Sequence, residues 1–161
     1  MTAYDKDNFM SDIMKDLLQG LCAELNIGNP ESVLQSGTLD IDDVTVYVEG
    51  RDEVYAEELV IYADLGAVPQ DKAAEVHRNL LEANLFWAGT GSATIGLHPD
   101  TGHAILAYQT PFAGLTPAGL ASAVTQFAKI AAYWQRFIAS GGETGGAQPP
   151  QDDAMPGMMR V

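Results

Sequence analysis

His98 and His103 flank Pro99-Asp100-Thr101-Gly102, so two imidazoles and a carboxylate stand close together in the chain. Such a set is the beginning of a metal site. A structural zinc takes four nitrogen or sulfur ligands, and a catalytic one takes three protein ligands with an open position. The pair falls short of both and reads as solvated histidines beside a turn. His77 lies in a helical stretch without an acid–base partner nearby in sequence, and reads as a packed or surface side chain. Cys22, the only cysteine, sits in an apolar helical stripe near a C-terminus with Glu24 beside it. A reactive thiolate wants a cation or a helix N-terminus, so Cys22 reads as a buried thiol. The pairs Asp42-Asp43, Asp52-Glu53 and Glu57-Glu58 offer adjacent carboxylates, as calcium binding and glycoside hydrolysis require. They lack the spacing of a helix–loop–helix calcium loop and any aromatic sugar cleft, and read as turns and strand ends. Gly89-Thr90-Gly91-Ser92 follows a helix and precedes a strand, the reverse of a phosphate cradle, and the motif's lysine and third glycine are missing. No catalytic residue, metal or cofactor is expected from these sets. The chain is instead rich in apolar side chains at telling positions. Phe86-Trp87 and Trp134 read as core or interface anchors.

The elements that carry these residues follow from periodicity. Phe9, Ile13, Leu17, Leu21 and Leu25 recur every four residues, with Met10, Met14, Leu18 and Cys22 beside them, predicting a helix over 8–25 with an unusually wide apolar stripe. Asn26-Ile27-Gly28-Asn29-Pro30 ends it. Gly20 inside it costs about 1 kcal/mol relative to Ala. Strands are predicted over 39–41 and 44–49 around an Asp42-Asp43 turn, with Val44, Val46 and Val48 on one face and Thr45, Tyr47 and Glu49 on the other. A third strand over 58–64 is apolar on both faces, as a central strand is. After Pro69 a second helix spans 71–84. Residues 93–98 and 103–109 pair as a hairpin across Pro99–Gly102. Thr116-Pro117 opens a last helix, with Thr as N-cap and Pro at the first helical position; Leu120, Val124, Phe127, Ala131, Trp134 and Ile138 mark its buried stripe. The order α-β-β-β-α-β-β-α predicts an α+β fold with an antiparallel twisted sheet flanked by helices. One domain over 1–140 and a flexible Gly/Pro-rich tail over 141–161 complete the expected organisation.

Composition narrows the partners. The chain has 161 residues, 47% of them hydrophobic, enough for one globular domain with a real core. No apolar run reaches the roughly 20 residues of a membrane helix. The acidic, polar start, Met1-Thr2-Ala3-Tyr4-Asp5-Lys6-Asp7, does not resemble a secretory signal. A lone cysteine suits a reducing compartment, so a cytoplasmic protein is expected. The net charge is −14. Residues 1–64 hold 15 acidic and 3 basic side chains, a net of −12, and residues 65–161 hold 7 and 5, a net of −2. That field repels nucleic acid and anionic membranes, neither of which is an expected partner, and attracts basic polypeptide segments.

The leading helix Phe9…Leu17-Leu18…Leu21…Leu25, the strand running into Leu65-Gly66-Ala67-Val68-Pro69, the Leu80-Leu81-Glu82-Ala83-Asn84 run, the hairpin over 93–109 and the final helix with Trp134 together resemble the CesT/Tir chaperone family of type III secretion. The resemblance covers about residues 8–138. It implies a non-enzymatic homodimer that binds the unfolded N-terminal segment of an effector protein in extended form and keeps it soluble and secretion-competent. Carried over residue by residue, it implies a dimer contact at Val76, Leu80, Leu81, Leu85 and Trp87, and effector contacts at Leu17, Leu21, Val44 and Val46. Physics points the same way, since the stripe of the first helix and the apolar second helix exceed what a small sheet covers. Two other readings stay open: a small-ligand or enzymatic α+β domain centred on the histidine hairpin, and an adaptor for folded partners.

Overall fold

The computed structural model describes residues 3–53, 56–143 and 148–150, and the side chains of 12–51, 57–143 and 148–150. Four helices and five strands run in the order α1 (Ala3–Glu24), α2 (Pro30–Ser36), β1 (Thr38–Ile41), β2 (Val44–Glu53), β3 (Ala56–Ala67), α3 (Ala73–Asn84), β4 (Thr94–Leu97), β5 (His103–Pro111) and α4 (Pro117–Ala139). The strands form one antiparallel sheet in the order β1-β2-β3-β5-β4. The doubly apolar third strand is therefore its centre, as expected.

Local chemistry explains the joints. Asp42 and Asp43 both take positive φ, 48° and 66°, which a two-residue hairpin turn between twisted strands requires. Thr116 Oγ1 accepts the Gly119 N–H at 3.1 Å, and Pro117 occupies the first turn of α4. At the other end of α4, Gly141 and Gly142 donate to the carbonyls of Ile138 and Phe137 with φ of 69° and 98°, closing the helix. The first residues of the expected tail thus serve as a cap; 144–147 and 151–161 lie outside the described residues.

The core lies between one face of the sheet and the helices. Val44, Val46 and Val48 on β2, Leu59, Ile61 and Ala63 on β3, and Ala104, Leu106 and Tyr108 on β5 are buried together with Leu120, Val124, Phe127 and Ala131 of α4. α4 rests on β3 and β2, and α1 packs mainly on α4. Gly20 lets the two helices approach: a Cβ there would come within 2.5 Å of the Pro117 ring. The helix-weakening glycine of the sequence is thus a packing requirement.

One element was not expected. The stretch read as the end of the first helix leads into α2, which begins at Pro30 with Glu31 in its first turn. α2 packs against α1 and β1 and buries Val33. α2 and α4 pack on α1, where Leu17, Leu18, Leu21 and Cys22 of the stripe are buried. Phe9 and Met10 belong to α1, but their side chains lie outside the described residues.

Candidate interaction surface

α3 is two-sided. Val76, Leu80 and Ala83 face the core, whereas Leu81 is 70% exposed. The helix stops at Asn84, and Leu85, 61% exposed, turns extended with φ −64° and ψ 115°. Phe86 and Trp87 follow with φ of 53° and 56°. For residues with a Cβ, this left-handed region costs about 1–2 kcal/mol each. The surrounding bonds enforce it. Gly89 N–H donates to the Ala83 carbonyl at 3.1 Å, and the Thr90 and Gly91 amides both donate to the Trp87 carbonyl at 3.2 Å. The Trp134 indole N–H, buried in α4, donates to the Gly89 carbonyl at 2.8 Å. Only glycine fits at 89, since a Cβ would lie 2.9 Å from that of Ala83 and 3.2 Å from the Trp134 ring. The glycine-rich stretch is thus a scaffold that docks on Trp134. It holds two aromatic side chains outward, Phe86 at 84% exposure and Trp87 at 53%. The turn thus keeps backbone strain at a defined surface position with large apolar side chains presented to solvent.

Leu97 of β4, half exposed, belongs to the same region. A groove of about 290 Å³ runs between α3 and β4, lined by His77, Leu80, Leu81, Ile95, Gly96 and Leu97. A second, wider cleft of about 610 Å³ lies between α1 and α2, with Met14, Leu18 and Leu34 as its apolar floor and Lys15, Gln19 and Glu31 among its polar walls.

Of the expected dimer residues, Leu81, Leu85 and Trp87 are exposed and grouped around the end of α3, while Val76 and Leu80 are 0% and 4% exposed and belong to the core. The expected effector residues need correction. Leu17, Leu21, Val44 and Val46 are all buried, at 7%, 0%, 1% and 0%. Helix periodicity and strand alternation correctly put them on apolar faces, but α2, α4 and the sheet already fill those faces. Phe86 and Leu97 were absent from both sets, although the sequence marked Phe86-Trp87 as an anchor.

The histidine hairpin does not converge on a ligand. His98 and His103 pair through backbone, His98 N–H to the His103 carbonyl at 2.8 Å. The rings go elsewhere: His98 Nδ1 accepts from the Asp100 amide at 3.3 Å, and His103 Nδ1 lies 2.8 Å from Asp64 Oδ2. Asp64 also accepts the Gly66 N–H at the β3 bulge, so this pair serves the bulge. Among the described residues, no three His, Cys, Asp or Glu side chains are grouped to hold a metal. Cys22 is buried, and burial pushes its thiol pKa up, the reverse of activation. On the outer sheet face, Tyr62 stacks on Tyr47 at 4.9 Å and donates to Glu49 Oε1. Burial first, then this hydrogen bond and the Glu49 charge, push Tyr62 up to about 12. No helix among the described residues is long and apolar enough to cross a membrane.

This architecture is shared with known proteins. A chain in the crystal structure of the ExsC–ExsE complex matches with a TM-score of 0.50 at 25% identity, covering 63% of this chain and 74% of that one. A chain in the structure of the HopA1–SchA chaperone–effector complex matches with a TM-score of 0.55 at 17% identity, covering 81% of this chain and 95% of that one; at that identity the likeness is one of fold. No curated protein matches the sequence. The model of the Tir chaperone protein (CesT) family matches residues 16–135, a span that takes in the sheet, α3 with its strained turn and most of α4; the chain belongs to that family.

Proposed function

We propose that this protein is a type III secretion chaperone without catalytic activity, a homodimer that binds the unfolded N-terminal segment of an effector and keeps it soluble and secretion-competent. Family membership supports the chaperone role. The observation that carries the dimer is the exposed set Leu81, Leu85, Phe86, Trp87 and Leu97 around a rigid frame. A two-fold contact would use this patch twice.

The client would use other surfaces. The α1–α2 cleft offers an apolar floor with polar walls, the form of a side-chain pocket for an extended peptide. β2 also runs on beyond its pairing with β1. The Val48 N–H donates to the Gly37 carbonyl, so Gly50 and Asp52 direct their backbone groups to the same side, past the last β1 pairing at Tyr47–Thr38. Strand addition there supplies main-chain hydrogen bonds, and the acidic first half of the chain favours a basic client. These surfaces replace the buried residues Leu17, Leu21, Val44 and Val46.

Co-expression with N-terminal effector segments tests the reading. The expected product is a stable complex of two protomers with one segment that lacks a cooperative fold of its own. Binding only to folded effector domains would favour an adaptor instead, and a monomer at micromolar concentration in sedimentation would remove the dimer.

A further inference from the structure

Among the described strands β4 lies at the edge of the sheet and pairs with β5 alone. The phase of its backbone follows from Thr94 lying opposite Ala107 and from the His98 N–H donating to the His103 carbonyl. Alternation along an antiparallel pair then turns the backbone groups of Thr94, Gly96 and His98 toward β5 and those of Ile95 and Leu97 outward. An outward row of this kind is a template for another strand.

At Ile95 the template is occupied. The Asn84 side chain, at the end of α3, donates from Nδ2 to the Ile95 carbonyl at 2.9 Å and accepts the Ile95 N–H on Oδ1 at 2.9 Å. The two bonds reproduce the doubly bonded ring that a residue on a neighbouring strand would form. A carboxamide offers donor and acceptor in one plane. Aspartate lacks the donor when ionised, alanine lacks both, and glutamine is a methylene longer.

We propose that Asn84 closes the β4 edge against strand addition. On the other side of the sheet, the Gly50 and Asp52 backbone lies past the end of β1. The inference goes beyond the chaperone reading and needs no client to test.

The test uses the full chain with Asn84→Ala and two readouts. The Ile95 amide should exchange with deuterium about tenfold faster than in the unmodified protein, since it loses its partner. Sedimentation velocity should reveal species larger than those of the unmodified protein, growing with concentration. Adding Thr94→Lys places a charge at an exposed position of the same edge, which disfavours strand pairing. The double variant should return to the original size while Ile95 still exchanges fast, a combination that a merely loosened fold would not give. Unchanged Ile95 exchange, an unchanged size distribution for Asn84→Ala, or association that Thr94→Lys fails to suppress would each overturn the proposal. Should the alanine variant not fold, Asn84→Asp supplies the same comparison: it should associate at neutral pH and return to the original size when acid protonates the carboxylate. A size unaffected by pH counts against the proposal.

Discussion

Replacing Leu81 with glutamate separates a surface role for α3 from a core role. Leu81 is 70% exposed in the protomer, whereas Leu80, its neighbour, is 4% exposed. Fully burying a leucine is worth about 1.5–3 kcal/mol, so covering seven-tenths of one is worth about 1–2 kcal/mol. In a two-fold contact the residue counts twice, giving about 2–4 kcal/mol, or roughly 30- to 700-fold in the dimer dissociation constant. Glutamate adds the cost of removing a carboxylate from water. Leu81→Glu should therefore yield a folded monomer at concentrations where the unmodified protein is dimeric. Leu80→Glu should instead unfold the protomer, because its charge enters the core. Sedimentation equilibrium over a concentration series gives the constants, and far-UV circular dichroism with a thermal melt reports the fold. A Leu81→Glu dimer within about threefold of the original constant would refute the reasoning, since a change that small is below 1 kcal/mol; so would a Leu80→Glu protein that melts normally.

Two further outcomes follow from geometry away from that patch. Trp134→Phe removes the indole N–H held by the Gly89 carbonyl and should lower stability by about 1–3 kcal/mol, read as a lower urea midpoint at unchanged slope; an unmoved midpoint would mean that the bond does not anchor the strained turn. Tyr62 stands at about 12 in the folded protein against an ordinary value of 10. The protonated phenol is thus favoured by folding, so its contribution is complete below pH 10 and is lost as pH rises through about 12. Tyr62→Phe should flatten that alkaline decline in a pH series of denaturant titrations, and an identical decline in both proteins would assign it to other groups.

Much of the scaffold was legible from local rules. Thr116-Pro117 marked the start of α4 because capping chemistry is local, and Asp42-Asp43 marked a hairpin because two consecutive positive φ values suit those residues. The alternation of Val44, Val46 and Val48 against Thr45, Tyr47 and Glu49 reappears in their burial. α2 escaped because two helical turns carry too short a stripe to register, and its packing on α1 and β1, rather than its propensity, sustains it. Its presence also changed the site, since an apolar stripe shows only that something covers it. For Leu17 and Leu21 the cover is internal. For Leu81 and Leu85, part of a helical run as apolar as that of Leu80, it is not. Deciding between them requires knowing which side of α3 meets the sheet. Leu97 was invisible for a related reason: nothing local says that β4 is an edge. Phe86 and Trp87 were legible as anchors, but their left-handed backbone depends on Trp134, which lies far along the chain.

The crossing at Gly20 and Pro117 also bears on synthesis. The ribosome makes α1 well before α4, its main seat. At 5–20 residues per second the opening segment waits on the order of 5–20 s before its greasy side has anywhere to settle. During that interval the newborn protein is itself in need of shelter, the service it is proposed to give to others.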